Sequence, residues 1–239
     1  MSAIASPPAN HLLSALPAEE LQRLLPLMKR VEMPAGKLLV EQGARVFDVY
    51  FPTTAIVALM RDVQEGPSCQ VAMVGREGVV GVSAFLGSPL AANRAVVLHS
   101  GEGYRLSAAA LVREFDREGP LNRLMLRYLQ ALLSQMAQTA VCGRHSPIQQ
   151  LGRWILMCLD RADGSHLVAS RALVAGQLGL GRSHLQKAAT DLQAADFIRW
   201  ERGRIDVLNR GALEDSGCDC RRIMGAEQEA ILARRKDRA

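Results

Sequence analysis

Long apolar runs and clustered cysteines are both missing from this sequence of 239 residues. No apolar run approaches the roughly 18 residues that a membrane-spanning helix needs. The first dozen residues also lack the basic segment followed by an apolar one that marks a secretory signal. The five cysteines are odd in number and scattered, which is typical of thiols in a reducing compartment and not of a disulfide framework. We therefore expect a cytoplasmic protein without membrane contact.

The residue patterns of catalytic and metal sites are also missing. An iron–sulfur cluster requires closely spaced cysteines, and the amino-terminal part offers only Cys69. Cys218 and Cys220 form a close pair, but two ligands fall short of the four in a structural zinc site, so we interpret them as ordinary thiols. His99 and His145 are candidate haem ligands, although an isolated histidine beside a strand or at a helix cap is usually structural. We predict no catalytic residues, no metal and no cofactor.

Apolar and charged residues are present in the proportions of a globular protein with a core, at 49% and 22% of the chain. The net charge of +5 is uneven. Residues 1–142 carry 13 basic and 12 acidic side chains, whereas residues 143–239 carry 16 and 12. This excess in the second part permits a polyanion as partner but is weak evidence by itself.

The first half of the chain has the texture of a β domain. "MSAIASPPAN" predicts a disordered leader, and "PAEELQRLLPLM" predicts a short helix. From residue 30 to 106, valine-rich runs of five to eight residues alternate with glycine and proline about every ten residues. Such spacing indicates an antiparallel β sandwich or barrel. One segment, "GVVGVSAFLG", predicts a helical turn among the strands.

A long helix follows, beginning at Pro120 and ending before Gly143. Its apolar residues recur at intervals of three and four and make a wide stripe, which suggests burial on two sides. One side can pack on the β domain, and the other can meet a second copy of the chain. The alternative is an ordinary core helix that is buried on both sides within one chain. We predict the dimer. The stripe comprises Leu121, Met125, Tyr128, Leu132, Met136 and Thr139, widened by Leu124, Leu129 and Leu133. A capping pattern at Ser146-Pro147 starts a new helix, so we place a hinge at 143–146.

The stretch "GQLGLGRSHLQKA", residues 176–188, has two interpretations. A phosphate-binding glycine loop needs a buried strand before it, and here helical spacing precedes it. The alternative is a helix-turn-helix with helices at about 171–178 and 182–194, joined by a turn at 179–181. Its inner face would consist of Leu178, Leu185, Ala188 and Leu192. The outer face carries hydrogen-bond donors near the start of the second helix, where a recognition helix meets bases and phosphates. We therefore predict a helix-turn-helix; a plain helical hairpin is the alternative.

A β-hairpin with basic residues follows this helix pair. "DFIRWERGRIDVLN" alternates apolar and polar residues around Arg202-Gly203, as a hairpin does. Such a hairpin suits a wing lying over the DNA backbone. The predicted DNA-binding residues are Arg171, Arg182, Ser183, His184, Gln186, Lys187, Arg202 and Arg204, with Thr190 and Arg199 beside them.

The order of these segments resembles the Crp/Fnr (cyclic-AMP receptor and fumarate–nitrate regulator) superfamily of bacterial transcription factors. "YFPTTAIVALM", "VAMVGREGVVG", "NRAVV" and "LGRWILM" are each similar to stretches of that family, and the resemblance covers about residues 10–223. It implies an α+β fold with three parts. These are a cyclic-nucleotide-binding-like, cupin-like antiparallel β-barrel sensor domain (10–118), a long dimerisation helix (119–143) and a winged helix-turn-helix domain (147–223).

The same resemblance points to an effector segment. In members that bind cyclic nucleotides, a Gly-Glu pair and a later arginine hold the ribose and phosphate, and the similar positions here are Gly78-Val79 and Arg94. Valine cannot accept the ribose hydrogen bond, and an unpaired buried polar group costs about 1–3 kcal/mol. Ala95 also removes a hydroxyl that would meet the phosphate. We expect cyclic AMP to bind weakly or not at all. Arg94 either binds another anion or forms an ion pair at the surface.

The sequence therefore predicts a homodimeric transcription regulator that has no catalytic activity. Its expected partners are double-stranded DNA, a second copy of the chain, RNA polymerase and an unidentified small-molecule effector. One alternative is a ligand-binding adaptor whose carboxyl-terminal domain binds protein. Another is an enzyme of the small-barrel type, for which clustered histidines are expected, whereas the five here lie far apart.

Overall fold

The structure is a computed structural model, and it describes residues 9–62, 68–162 and 164–232. The chain forms two compact units. The first comprises Met1–Ala58 and Val74–Met125, and the second comprises Leu59–Met73 and Leu126–Ala239. The proposed domain bounds at 118/119 and 143/147 remain a prediction.

Short helices and strands make up the amino-terminal half of the described chain. The helices are α1 (His11–Ser14), α2 (Ala18–Leu24) and α3 (Ala108–Phe115), with 3₁₀ turns at Leu25–Leu27 and Val82–Phe85. The strands are β1 (Lys29–Met33), β2 (Leu38–Val40), β3 (Asp48–Pro52), β4 (Ile56–Arg61), β5 (Cys69–Val74), β6 (Arg94–His99) and β7 (Gly101–Ser107). The second 3₁₀ turn is the predicted helical turn among the strands.

The seven strands form two sheets. One has the order β1-β7-β3, with antiparallel pairs that place Lys29 opposite Arg105 and Asp48 opposite Ser107. The other has the order β2-β6-β4-β5, in which β2 and β6 are antiparallel. Within the described residues no hydrogen-bonded ladder joins the two sheets into one closed barrel. The predicted fold class, an antiparallel β domain followed by a long helix and a helix-turn-helix, is confirmed.

The predicted disordered leader, residues 1–10, includes a residue that the structure holds in place. Residues 1–8 lie outside the described residues, but Asn10 is completely buried. Its side chain caps α1 by accepting from the backbone N–H groups of Leu12 and Leu13, and its Nδ2 donates to Pro52 O (2.8 Å) and Gly78 O (2.9 Å). These four hydrogen bonds fix the start of the chain against the β domain, so the disorder prediction was wrong at its last residues.

The long helix α4 spans Pro120–Cys142, the bounds that its sequence predicts. Its start is held by a residue from far away in sequence. The buried carboxylate of Glu20 accepts a hydrogen bond of 2.8 Å from Leu121 N, where a negative charge is favoured. A Cβ on Gly119 would lie 2.5 Å from Glu20 Oε1, so a larger residue at that position would have to displace this carboxylate.

Helix α4 buries one side within its own chain and leaves another exposed. Leu121, Met125, Tyr128 and Leu132 are buried. The exposed apolar residues are Leu126 (48% exposed), Leu133 (59%) and Val141 (50%). Leu132 belongs to the predicted stripe, but it is buried inside the chain and is not free to meet a second copy. The free apolar row is one residue further along, at Leu133.

The carboxyl-terminal half of the described chain is mainly helical. Its helices are α5 (Pro147–Leu159), α6 (Arg171–Leu178), α7 (Arg182–Ala194), α8 (Arg210–Asp215) and α9 (Cys220–Leu232), and its strands are β8 (His166–Val168), β9 (Ile198–Glu201) and β10 (Arg204–Val207). The strands form an antiparallel sheet of order β8-β10-β9. Helix α5 begins with the predicted capping box of Ser146 and Gln149, and its residues from Gln150 to Leu159 are all buried. It is the central helix of this half. None of the described helices is both long and apolar enough to span a membrane.

Candidate nucleic-acid interface

The helix pair α6 and α7 has the bounds that the sequence predicted, and local signals explain both ends of α6. Ser170 Oγ accepts a hydrogen bond from Leu173 N (3.1 Å) at its start. Gly179 ends the helix in the left-handed conformation with φ 63°, which favours glycine. Leu180 N then donates to Ala175 O (3.0 Å), which closes the turn. The helix-turn-helix prediction therefore fits the geometry of the chain.

Helix α7 begins without a side-chain cap. Its first flanking residue is Gly181, and no acidic residue stands in its first turn. The first backbone N–H groups of a helix have no partner within it and carry partial positive charge. Arg182, Ser183 and His184 surround this end with exposed side chains. The start of α7 is therefore suited to a phosphate or another anion.

The two faces of α7 are clearly separated. Its inner face, comprising Leu185, Ala188, Ala189 and Leu192, is buried. Its outer face is exposed and comprises Arg182, Ser183, His184, Gln186, Lys187 and Thr190. Leu178, which we predicted to belong to the inner face, is only half-buried. A polar face on a helix this well anchored is available for an external partner.

Arg171 connects three elements of this half of the chain. Its guanidinium lies 5.0 Å above the ring centroid of Trp200 on β9, a favourable cation–π arrangement. It also donates to Trp200 O (3.4 Å) and to Gln186 Oε1 (2.7 Å). Because Arg171 has only donors, the Gln186 atom facing it must be the oxygen. Gln186 therefore presents its NH₂ group outward, where it donates to Thr190 Oγ1 at 3.5 Å.

Strands β9 and β10 form the predicted hairpin. Glu201 pairs with Arg204, so Arg202 and Gly203 are the two loop residues. Both have positive φ, 48° and 79°, as a type I′ turn requires. Arginine is unusual at such a position, since residues other than glycine, asparagine and aspartate rarely adopt it. The Arg202 side chain is exposed at the tip of the hairpin.

Two of the predicted cations form ion pairs in the structure. Lys187 Nζ lies 3.1 Å from Asp191 Oδ2, four residues along α7. Arg204 Nη2 lies 2.9 Å from Asp206 Oδ1 on β10. Exposed pairs of this kind contribute about 0–1 kcal/mol. Exchange of the carboxylate for a phosphate is therefore energetically accessible to both residues.

Comparison with known families adds to this geometry. Residues 149–216 match the Crp-like helix-turn-helix domain. The predicted resemblance to the Crp/Fnr superfamily is confirmed. The chain therefore has a Crp/Fnr-type fold with a Crp-like helix-turn-helix domain. A comparison with curated proteins found no match.

Solved structures with this fold align over most of the chain. FixK2 from Bradyrhizobium japonicum is 15% identical, with a TM-score of 0.67, over 80% of this chain and 98% of that one. A protein assigned to the Crp/Fnr family of transcriptional regulators, from Eubacterium rectale, is 12% identical, with a TM-score of 0.69, over 90% and 99%. CLP, the c-di-GMP-responsive global regulator of Xanthomonas campestris, is 17% identical, with a TM-score of 0.62, over 80% and 99%. At these identities the likeness establishes the fold.

The effector segment expected in a Crp/Fnr-type sensor domain is apolar here. Gly78 precedes Val79 and Val80, and both valines are at most 1% exposed. Arg94 is half-buried at the first residue of β6, and Ala95 beside it is completely buried. The Val79 side chain therefore offers no polar atom to a ligand, and its match to the glutamate of nucleotide-binding members remains a prediction.

Sequence reasoning missed one group of polar residues. Cys142, His145, Cys218 and Cys220 come together so that their sulfur and imidazole nitrogen atoms all lie within 4.8 Å of one another. We had treated Cys218 and Cys220 as ordinary thiols and His145 as a structural histidine. The available signal was the presence of two closely spaced pairs, Cys142 with His145 and Cys218 with Cys220. Only the fold shows that these pairs meet.

Proposed function

We propose that this chain is a cytoplasmic, non-catalytic transcription regulator that binds a pseudo-palindromic DNA operator as a homodimer. The observation that carries the proposal is the start of α7. An uncapped helix end there, with no acid in its first turn, is surrounded by Arg182, His184 and Lys187 on an exposed face. The Crp-like match at residues 149–216 supports the same use of this face.

The outer face of α7 is suited to reading base edges in the major groove. Arg182 and Gln186 are one turn apart and both are exposed. Arg171 occupies Gln186 Oε1, so this side chain offers its NH₂ as a donor. The Gln186 NH₂ can therefore donate to a base acceptor such as guanine O6 or N7 or thymine O4. The two-point contact with adenine is disfavoured, because it also needs the glutamine oxygen as an acceptor. Arg171 acts as a positioning residue for this contact.

The β9–β10 wing is suited to phosphates. Arg202 stands exposed at its tip, and Arg204 is exposed beside it. Lys187 joins them as a phosphate contact once it leaves Asp191. Such contacts fix the position of the protein on DNA without reading sequence.

The exposed row on α4, comprising Leu126, Leu133 and Val141, supports the homodimer. These residues lie seven and eight apart, which keeps them on one side of a helix. Two copies joined across a two-fold axis bring two α7 helices to half-sites roughly 34 Å apart, which is one turn of DNA. Crp/Fnr regulators usually act as dimers.

The sensor domain is proposed to receive a small-molecule effector other than cyclic AMP, near Gly78, Val79 and Arg94. The buried Val79 and Ala95 support this, because neither side chain supplies a hydrogen-bond partner to a cyclic nucleotide. Binding of RNA polymerase at the promoter belongs to the same proposal, and it would link DNA binding to transcription.

The proposal is tested by DNA affinities of Arg182→Ala and Arg202→Ala. An operator is first selected from a random duplex library, and binding to operator and random duplex is then measured at several salt concentrations. Loss of a base contact costs about 1–3 kcal/mol of discrimination, so Arg182→Ala should lower the specificity ratio by at least about fivefold. Arg202→Ala should weaken both duplexes alike and leave that ratio unchanged.

Arg117→Ala is the matched control, since Arg117 is an exposed arginine of the first unit. It should bind both duplexes as the wild-type chain does. If neither Arg182→Ala nor Arg202→Ala changes DNA binding while both variants remain folded, α7 is not the recognition helix.

A further inference from the structure

Four candidate metal ligands meet at the carboxyl-terminal end of α4. Cys142 is the last residue of α4, and His145 lies in the connection to α5. Cys218 follows α8, and Cys220 is the first residue of α9. Cys142 and Cys220 are buried, whereas His145 and Cys218 are half-buried. Among the described residues, these four side chains form a group whose possible ligand atoms all lie within 4.8 Å of one another.

Two of the distances within this group match tetrahedral coordination. Cys142 Sγ lies 3.7 Å from Cys218 Sγ, and Cys220 Sγ lies 3.5 Å from His145 Nδ1. A tetrahedral zinc ion has Zn–S bonds of about 2.3 Å and Zn–N bonds of about 2.0–2.1 Å, which places neighbouring sulfurs about 3.8 Å apart and sulfur and nitrogen about 3.6 Å apart. All pairs of donor atoms lie within 4.8 Å. One ion at the centre can therefore bind all four.

The surroundings provide what zinc thiolates require. Gln138 Nε2 donates to Cys220 Sγ (3.1 Å), the kind of outer hydrogen bond that orients a ligand. Gln150 Nε2 donates to His145 O (2.8 Å) and to Gly143 O (3.3 Å), which holds the turn that carries the histidine.

Positive charge is available close to the site. Three thiolates and one Zn²⁺ carry a net charge of −1 together with a neutral histidine. Arg153 on α5 is buried, and its Nη2 donates to Thr139 Oγ1 (2.8 Å), one turn before Cys142 on α4. This buried guanidinium partly offsets the charge of the complex, which a buried anion needs.

We propose that Cys142, His145, Cys218 and Cys220 form a structural zinc site. Three thiolates and one imidazole are a donor set of closed structural zinc centres, and with four protein ligands no position is left for water or substrate. Donor atoms this close together bind one ion, whereas the ligands of an iron–sulfur cluster bind different iron atoms and stand further apart.

The site would add a link between the end of α4 and the start of α9. Cys142 and Cys218 are 76 residues apart in sequence. An ion bound to both closes that loop and fixes the α4–α5 connection to the start of α9, and zinc binding of this kind contributes directly to folding. The site is independent of the proposed DNA contacts, so either proposal can fail without the other.

The test uses the full chain, purified under reducing conditions without chelator and then incubated with Zn²⁺ and desalted. The zinc content per chain is measured by elemental mass spectrometry for the wild type and for Cys218→Ser. The matched control is Cys69→Ser, because Cys69 is half-buried and lies outside the group. We expect about one zinc ion per chain in the wild type and the control, and at least about a fivefold loss in Cys218→Ser.

Cobalt provides a second readout. Co²⁺ in place of zinc should give the visible absorption of a tetrahedral ion and thiolate-to-metal charge transfer in the near ultraviolet. A chelator should lower the Tm of the wild type and of Cys69→Ser but not that of Cys218→Ser. If Cys218→Ser does not fold, Cys218→His supplies a replacement ligand and should keep its zinc.

Three outcomes would overturn the proposal. The first is a reduced wild-type chain that takes up no zinc. The second is a folded Cys218→Ser variant that keeps as much zinc as the control. The third is a chain whose mass shows a Cys142–Cys218 disulfide and which binds no metal after reduction.

Discussion

Replacing Arg202 with asparagine should make the protein more stable and a weaker DNA binder. Arg202 has φ 48° in the two-residue loop between Glu201 and Arg204. A left-handed conformation costs an ordinary residue roughly 1–2 kcal/mol, whereas asparagine adopts it readily and is preferred in type I′ turns. We therefore expect Arg202→Asn to raise the free energy of unfolding by about 0.5–1 kcal/mol.

The same change removes a proposed phosphate contact. Each phosphate contact contributes about 0.9 to the slope of log K against log salt concentration. A dimer has two wings, so the slope should flatten by about 1.8 in Arg202→Asn. Operator and random duplex should lose affinity by the same factor, because this contact reads no base.

Fluorescence anisotropy at four or more salt concentrations measures the slope, and thermal denaturation measures stability. A gain of 1 kcal/mol corresponds to a rise in Tm of about 2–4 °C for a chain of this size. Arg202→Lys is the matched control, since it keeps both the charge and the unfavourable φ. It should leave the salt slope and the Tm close to those of the wild type.

Two results would contradict this reasoning. An unchanged salt slope in Arg202→Asn would show that the tip of the wing does not touch phosphate. A lower Tm would show that the turn is not the left-handed pair that Arg202 and Gly203 form in the structure.

Three further predictions concern the helices. Leu133→Glu should give a folded monomer in light scattering at micromolar concentration, whereas a folded dimer would exclude the exposed row of α4 as the seam. Gly179→Ala should lower the free energy of unfolding by about 1 kcal/mol, because Gly179 has a φ of 63°. Gly176→Ala should raise it by about 0.5–1 kcal/mol, because Gly176 lies inside α6 and an added Cβ would have nothing within 4 Å. Equal effects of the two substitutions would refute this prediction. Burial would raise the pKa of Asp160, but hydrogen bonds and charge from Arg221 and Arg210 outweigh it and lower that pKa. Asp160→Asn should therefore lower the free energy of unfolding by about 1 kcal/mol at neutral pH. Denaturation curves should show this difference between variant and wild type disappearing as the pH falls below about 4 and through the lowered pKa of Asp160. A difference that does not depend on pH would contradict this prediction.

The sequence by itself determined where the main helices and the wing begin and end. Pro120, Ser170 and Gly179 act through their own backbone geometry or through partners within a few residues, so their effects do not depend on the rest of the fold. The hairpin around Arg202-Gly203 is local for the same reason. These signals were sufficient for the fold class, the helix-turn-helix and the family resemblance.

Only the tertiary structure decided which side of a helix is free and which distant residues meet. Leu132 and Leu133 are neighbours in a stripe too wide to show from the sequence which one packs inside the chain. Cys142 and Cys218 are separated by 76 residues, and no local pattern reports such a meeting, because it depends on how α5, α8 and α9 pack. The sequence likewise gives no sign that Arg171 lies over the Trp200 ring, because the two residues are brought together only by the packing of α6 against β9. Local backbone preferences set the elements, and the burial of their apolar faces sets which side chains face one another.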